Sequence, residues 1–286
     1  MRFRDWATRV MLIFLMFAAL ILALFAGKAK NLQNNTTASN PEMTNWIQYP
    51  NMELQSVEKP ESKSQDMLKS QTKTNRVAAK YITTQAFASY KPKYEIAQIH
   101  PSNYGERYPK DINGVPVNNE PIIVLHETGN SASSALHFFQ TPHDNENIQA
   151  SYHSLIKLDG TVVYLIPPDK RAFGAGNSVF DGPNGLETVK TNPNLPPSVN
   201  NFAYHVSLET PPDAWGNNNN QQTHSGYTEA QYDSLAWLIA QSQVPEDRIT
   251  THQAVDRSGQ KVDPINFDFD KFLNLLNIYR QLRPIS

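Results

Sequence analysis

The chain has 286 residues, a formal net charge of -2, 39% hydrophobic and 10% aromatic residues, and no cysteine. Near-neutral charge argues against electrostatic capture of nucleic acid. The lack of thiols excludes disulfides and thiolate metal sites, so any metal must be held by imidazole and carboxylate.

Arg2, Arg4 and Arg9 precede an unbroken run of small and apolar residues from Val10 to Gly27, closed by Lys28 and Lys30. Residues 1–30 therefore read as an export signal. The run is long enough to favour a retained transmembrane anchor, although Leu24-Phe25-Ala26 leaves a poor cleavage site open. The remainder is expected on the periplasmic or extracellular face of the cytoplasmic membrane, tied to the membrane through this helix. Residues 31–90 read as a polar linker. Asn31 to Lys80 is dominated by Asn, Gln, Ser, Thr, Lys and Glu, which bury too little apolar surface to offset chain entropy, so a disordered tether is predicted. Ile82 to Tyr104 mixes aromatics with Lys and Pro and is expected to lie on the domain as an arm.

Residues 91–286 read as an α/β domain, a single mixed β-sheet flanked by helices. Ile122-Ile123-Val124-Leu125 predicts a central strand buried on both faces, ending at His126. Turn and cap residues from Thr128 to Ser134 lead into a helix over Ala135 to Gln140. Ser154 to Leu158, then Asp159-Gly160, then Thr161 to Ile166 predict a hairpin closed by a two-residue turn. A strand is predicted at Phe202 to Glu209. Thr228 caps a helix running to about Gln243, Arg248 to Thr251 is a short strand, and a last helix covers Phe267 to Leu282.

The chain contains no G-x-S-x-G elbow, Gly-rich phosphate loop or dinucleotide fingerprint, and His126-Glu127 lacks the second histidine of H-E-x-x-H. Attention narrows to histidines and carboxylates. His100, His137, His143 and His224 lie in polar loops or on a helix without a partner at ligand spacing, and ordinary structural roles suit them. His126 and His252 instead stand where apolar strand runs give out, the edge at which open α/β sheets assemble their sites. With Asp263 they would supply two neutral nitrogens and a carboxylate for a tetrahedral zinc ion, the fourth position going to water. Spacing alone leaves core or surface roles open for this trio.

The segment from His252 through Lys261-Val262-Asp263-Pro264 resembles the closing motif of the zinc-dependent N-acetylmuramoyl-L-alanine amidases related to peptidoglycan recognition proteins, with one more loop residue than some relatives. Val124-Leu125-His126-Glu127-Thr128 is similar to that family's first-ligand strand, Ser151 to Val162 to its hairpin, and Arg171 to Ser178 to its groove-lining segment. The likeness runs from about Pro121 to Leu275. It implies a peptidoglycan recognition protein-like fold, Zn2+ held by His126, His252 and Asp263, oxyanion stabilisation by Lys261, and Tyr152 as a catalytic tyrosine. The implied partner is peptidoglycan or a muropeptide, and the chain is expected to act as a monomer. Two departures stand out. Relatives of the muropeptide-recycling type use a glutamate where this chain has Ser207, which leaves Glu209, on the same strand face, as a candidate proton carrier. The same relatives carry a histidine where Gly174 stands. The competing expectation is a non-catalytic peptidoglycan-binding module, disfavoured because the ligand set and Lys261 are all present.

Overall fold

A computed structural model describes residues 80–215 and 223–284, all within the unit Glu42–Ser286. The apolar run Val10 to Gly27 and the tether before residue 80 lie outside the described residues. Among the described residues no helix is long and apolar enough to cross a membrane. The strands are β1 (Tyr81–Thr83), β2 (Tyr94–Ile96), β3 (Tyr104–Glu106), β4 (Ile122–Glu127), β5 (Ser154–Ile156), β6 (Val162–Tyr164), β7 (Lys170–Ala172), β8 (Phe180–Gly182), β9 (Gly185–Glu187), β10 (Ala203–Leu208), β11 (Ile249–Thr251) and β12 (Arg280–Leu282). The α-helices are α1 (Gln85–Ser89), α2 (Ala132–Gln140), α3 (Glu229–Ala240), α4 (His252–Val255) and α5 (Phe269–Tyr279).

Six strands form one mixed sheet in the order β11-β4-β10-β5-β6-β2, in which only β5 and β6 run antiparallel to each other. The sheet is mixed and helix-covered as expected, but it is not single. The pairs β1–β12, β3–β7 and β8–β9 form separate two-stranded ribbons. One cause is local: Pro167 and Pro168 follow β6, and neither can donate to a ladder, so the chain leaves the sheet before β7.

β4 is buried along its whole length because both of its faces are covered. Ile123 and Leu125 join Leu235, Leu238 and Ile239 of α3 and Phe272 and Leu276 of α5. Ile122 and Val124 join Phe180, Val199 and Val255 on the other side. Each such side chain contributes roughly 1.5–3 kcal/mol by burial. The cap expected at Thr228 is present, as a capping box: Thr228 Oγ1 accepts from the Gln231 amide at 3.1 Å, and Gln231 Oε1 accepts from the Thr228 amide at 3.0 Å.

Three boundaries differ from the sequence reading. Residues 81–90, inside the linker bounds although an arm from Ile82 was expected on the domain, are folded onto it: β1 pairs with β12, Phe87 stacks on Trp237 at 5.2 Å, and the Tyr90 hydroxyl meets Ser234 Oγ at 2.9 Å. Consequently the last helix stops at Tyr279 and not at Leu282. Arg280 turns inward, lies 4.1 Å from the Tyr81 ring centre and donates to Val244 O at 2.7 Å, so the chain continues as a strand. The hairpin closes through three residues, 158–160, since Lys157 N donates to Thr161 O at 2.9 Å and Gly160 N to Lys157 O at 2.9 Å. Gly160 sits at φ 81°, the left-handed third position that such loops use.

Gly160 also has no room for a side chain, because an added Cβ would lie 2.7 Å from Ala230 O of α3. Gly160→Ala is therefore expected to lower stability by about 2–3 kcal/mol through strain and displacement of α3. Urea unfolding measures this, and an unchanged midpoint would contradict the close packing.

Candidate metal centre

β11 pairs with β4 so that Thr251 stands opposite Leu125. The residue after each of these is a histidine, and parallel register brings the two to the same edge of the sheet, ring centroids 4.6 Å apart. At His252 the chain turns into α4, whose start is capped by Thr251 Oγ1 accepting from the Ala254 amide at 3.2 Å. Asp256 then gathers the following loop, its carboxylate accepting from the amides of Ser258, Gln260 and Lys261. The loop returns Asp263 to the edge, where Gln253 N donates to Asp263 O at 3.0 Å.

Asp263 Oδ1 lies 3.0 Å from His252 Nδ1, and its Oδ2 lies 3.5 Å from His126 Nδ1. One ligand atom from each residue falls within 4.8 Å of the others. His126 Nδ1 is buried without a hydrogen-bond partner among the described residues. A buried, unpartnered ring nitrogen converging with a second imidazole and a carboxylate fits a tetrahedral zinc ion with one open corner. Burial pushes His126 down to about 4, partly opposed by Asp263, so its ring is neutral as a ligand must be. Burial acts to raise Asp263, but the adjoining rings of His126 and His252 prevail and hold it well below the usual carboxylate range.

A cleft of about 300 Å³ opens over this group, lined by Glu127, Thr128, Gly129, Tyr152, His252, Gln260, Lys261, Val262 and Asp263. Tyr152 and Lys261 thus both line the cleft over this group. The Tyr152 ring lies 4.6 Å from that of His126 and edge-on to Phe139 at 5.3 Å. Burial first, then the charges of Asp263 and Glu127, push its phenol far up, so it stays protonated. Lys261 is exposed at the lip.

Glu209 is not brought into this group. Its Oε1 accepts from the Ala132 amide at 2.8 Å and its Oε2 from the Leu158 amide at 2.9 Å. It therefore ties the first turn of α2 to the hairpin loop and is not among the residues lining the cleft. Glu209 lies one residue past the end of β10, its own amide still donating to Ile156 O of β5 at 2.8 Å, and the amides of Ala132 and Leu158 occupy its carboxylate. Ser207 pairs with His126 in register and its hydroxyl is buried without a hydrogen-bond partner among the described residues.

Glu127 was given no role in the sequence reading, where it figured only within the first-ligand strand and a failed H-E-x-x-H. Its Oε2 accepts from His224 Nε2 at 2.9 Å, from the Tyr227 hydroxyl and from the Ile265 amide at 3.3 Å. His224, assigned a structural role, thus steadies a carboxylate of the cleft. Adjacency to a ligand at a strand end was the available signal. His153 stands one row behind His126: it stacks on Tyr204 at 4.5 Å, and its Nδ1 accepts from the His205 amide at 2.9 Å. The departure at Gly174 has a steric counterpart, because a Cβ there would lie 2.5 Å from the His205 ring.

Burial holds His126, His153 and His205 all below the ordinary imidazole range. The unfolded chain takes up protons at these three as pH falls through about 6.5, and the folded chain does not. Stability of the metal-free protein should therefore fall below about pH 6, by roughly 1.4 kcal/mol per pH unit for each histidine. Asp263, depressed in the fold, adds its loss only below about pH 4. Urea titrations between pH 7.5 and 5 measure this, and a flat profile would show that the rings protonate in the fold.

Residues 118–266 match the model of the Amidase_2 family, N-acetylmuramoyl-L-alanine amidase. No curated protein matches the chain. Among solved structures, a selenomethionine derivative of AmpD is 25% identical, with 64% of this chain and 94% of that one covered and a TM-score of 0.44. Staphylococcus aureus hydrolase AmiA, in complex with its ligand, is 18% identical, with coverages of 66% and 83% and a TM-score of 0.40. The E. coli amidase AmiD, in complex with the substrate anhydro-N-acetylmuramic acid-L-Ala-D-gamma-Glu-L-Lys, is 17% identical, with coverages of 60% and 65% and a TM-score of 0.41. These likenesses are loose, and the assignment comes from the family match. With more than half of its length matched, the chain belongs to the N-acetylmuramoyl-L-alanine amidase family.

Proposed function

We propose that the domain is a zinc-dependent hydrolase of the amide joining the muramoyl lactyl group to the first stem alanine of peptidoglycan, with His126, His252 and Asp263 as its metal ligands. The observation that carries this reading is the convergence of those three ligand atoms beneath a cleft that also holds Tyr152 and Lys261. When bound, zinc supplies Lewis acidity that activates water and polarises the scissile carbonyl. Lys261 brings a positive charge to the side on which negative charge develops at the carbonyl oxygen. Tyr152, kept protonated by its surroundings, donates a hydrogen bond that orients the attacking water or the amide. Glu127, anchored through one oxygen, offers the other to receive a proton from water and pass it to the departing nitrogen. Glu209 takes no part, since both of its oxygens already hold backbone amides.

The test is digestion of purified peptidoglycan with the full chain, with and without a chelator, followed by assay of new alanine amino termini and mass analysis of the fragments. Chelator-sensitive release of free stem peptides is expected. Binding to peptidoglycan without new termini would replace the enzyme with a recognition module.

The same reading places the domain outside the cytoplasmic membrane, with residues 1–30 as anchor and a polar linker behind it, in the service of cell wall turnover or remodelling. What supports export is the basic stretch Arg2 to Arg9 ahead of the apolar run Val10 to Gly27. Recovery of the chain in the soluble cytoplasmic fraction would refute it.

A further inference from the structure

His205 belongs to no motif discussed above, yet it lies directly behind a proposed ligand. Its Nδ1 is 2.9 Å from His126 Nε2, and both rings are fully buried. We infer that His205 is a positioning residue for the metal: it accepts the Nε2 proton of His126 and so leaves the lone pair of His126 Nδ1 facing the two other ligands. The inference rests on the zinc reading above.

The argument is one of proton placement. A neutral imidazole carries a single ring proton, and a ligand nitrogen cannot be the one that bears it. His126 Nδ1 faces Asp263 at 3.5 Å, so ligation through Nδ1 requires the proton on Nε2. The group within hydrogen-bond distance of Nε2 is His205 Nδ1, which must then accept. His205 in turn carries its own proton on Nε2, which is buried without a hydrogen-bond partner among the described residues. A hydrogen bond to the far nitrogen of a ligand histidine fixes its tautomer and ring orientation, and losing one typically costs ten- to a hundredfold in metal affinity.

Three features hold the His205 ring where this requires. Its backbone amide donates to His153 Nδ1 at 2.9 Å, while His153 Nε2 lies 3.2 Å from Lys170 O, the acceptor for the remaining proton of that ring. The His153 ring stacks behind that of His205 at 5.8 Å and 10°. In front stands Gly174, where an added Cβ would come within 2.5 Å of His205 Cγ and Nδ1. Any side chain at 174 would displace the ring, so the glycine and the histidine form one steric unit.

The test uses the full-length chain, with zinc affinity read by competition against a chromophoric chelator and the melting temperature of the metal-free protein recorded in parallel. His205→Phe keeps a ring but removes the acceptor, and is expected to weaken zinc binding by about ten- to a hundredfold. His205→Asn keeps an acceptor at the branch position of Nδ1 and is expected to stay within about threefold of the parent. Gly174→Ala, which leaves His205 in place chemically but pushes its ring, should weaken zinc binding in the same direction as Phe, and it decides the matter if the Phe variant does not fold. Equal affinity in parent and His205→Phe, or equal weakening by Phe and Asn, would overturn the inference while leaving the zinc site intact. A parent protein that binds no zinc would instead overturn the reading on which the inference rests.

Discussion

His126→Ala and Asp263→Ala are each expected to abolish stoichiometric zinc retention and to lower amide hydrolysis on the order of a thousandfold or more. The reason is the smallness of the ligand set. Two imidazole nitrogens and one carboxylate leave a single corner open, and removal of any member leaves two ligands, too few for a structural hold on the ion. The two variants should differ in the metal-free state. Asp263→Ala removes the acceptor that His252 Nδ1 meets at 3.0 Å, leaving two buried histidines without their carboxylate, so it should cost stability beyond the loss of metal. His126→Ala removes a fully buried ring from between Tyr152 and His252 and leaves a cavity there. Metal analysis after dialysis, paired with the peptidoglycan digest, gives the answer. Zinc bound at one equivalent by either variant would sink the coordination scheme.

Lys261→Ala has the second largest expected effect and a different signature. Zinc should remain bound, because the ammonium is no ligand, while kcat falls by about a hundred- to a thousandfold, the range seen when one oxyanion donor is removed. KM should change little, since the charge opposes a negative oxygen that exists only after water has attacked. The position of Lys261 supports a transition-state role over a structural one. Its side chain is exposed at the lip of the cleft, and it is Asp256, through the Lys261 backbone amide at 3.3 Å, that holds the loop in shape. Lys261→Ala should therefore melt within a degree or two of the parent, as surface substitutions do. Steady-state kinetics with metal content measured on the same sample tests this. Turnover within threefold of the parent would remove Lys261 from the reaction and leave the metal without its auxiliary charge.

Local patterns made much of the scaffold legible. The aliphatic run before His126 read as a strand covered on both faces, and Thr228 announced the start of α3 before any packing was known. The Lys-x-Asp-Pro segment and Tyr152 ahead of the hairpin were legible through family likeness, and the structure brings both to one cleft. What failed to be legible shares a physical character. The stop of the last helix at Tyr279 depends on β1, some two hundred residues earlier, offering a strand partner to Arg280. The engagement of Glu209 was not foreseen because two backbone amides, one from the start of α2 and one from the hairpin loop, capture its carboxylate, and neither is near it in the chain. Glu127 was overlooked because its role is set by His224, Tyr227 and Ile265, none of them near it in the chain.

The amino-acid sequence by itself determined which residues end strands, which cap helices and which carry metal-binding nitrogens and oxygens, since these follow from periodicity and side-chain chemistry over a few residues. Tertiary structure alone decided that His126 and His252 share an edge, that His205 backs one of them, and that Glu127 and not Glu209 reaches the cleft. Each of those outcomes depends on strand register and loop closure, and a shift of one residue in the pairing of β4 with β11 would turn a ligand to the opposite face.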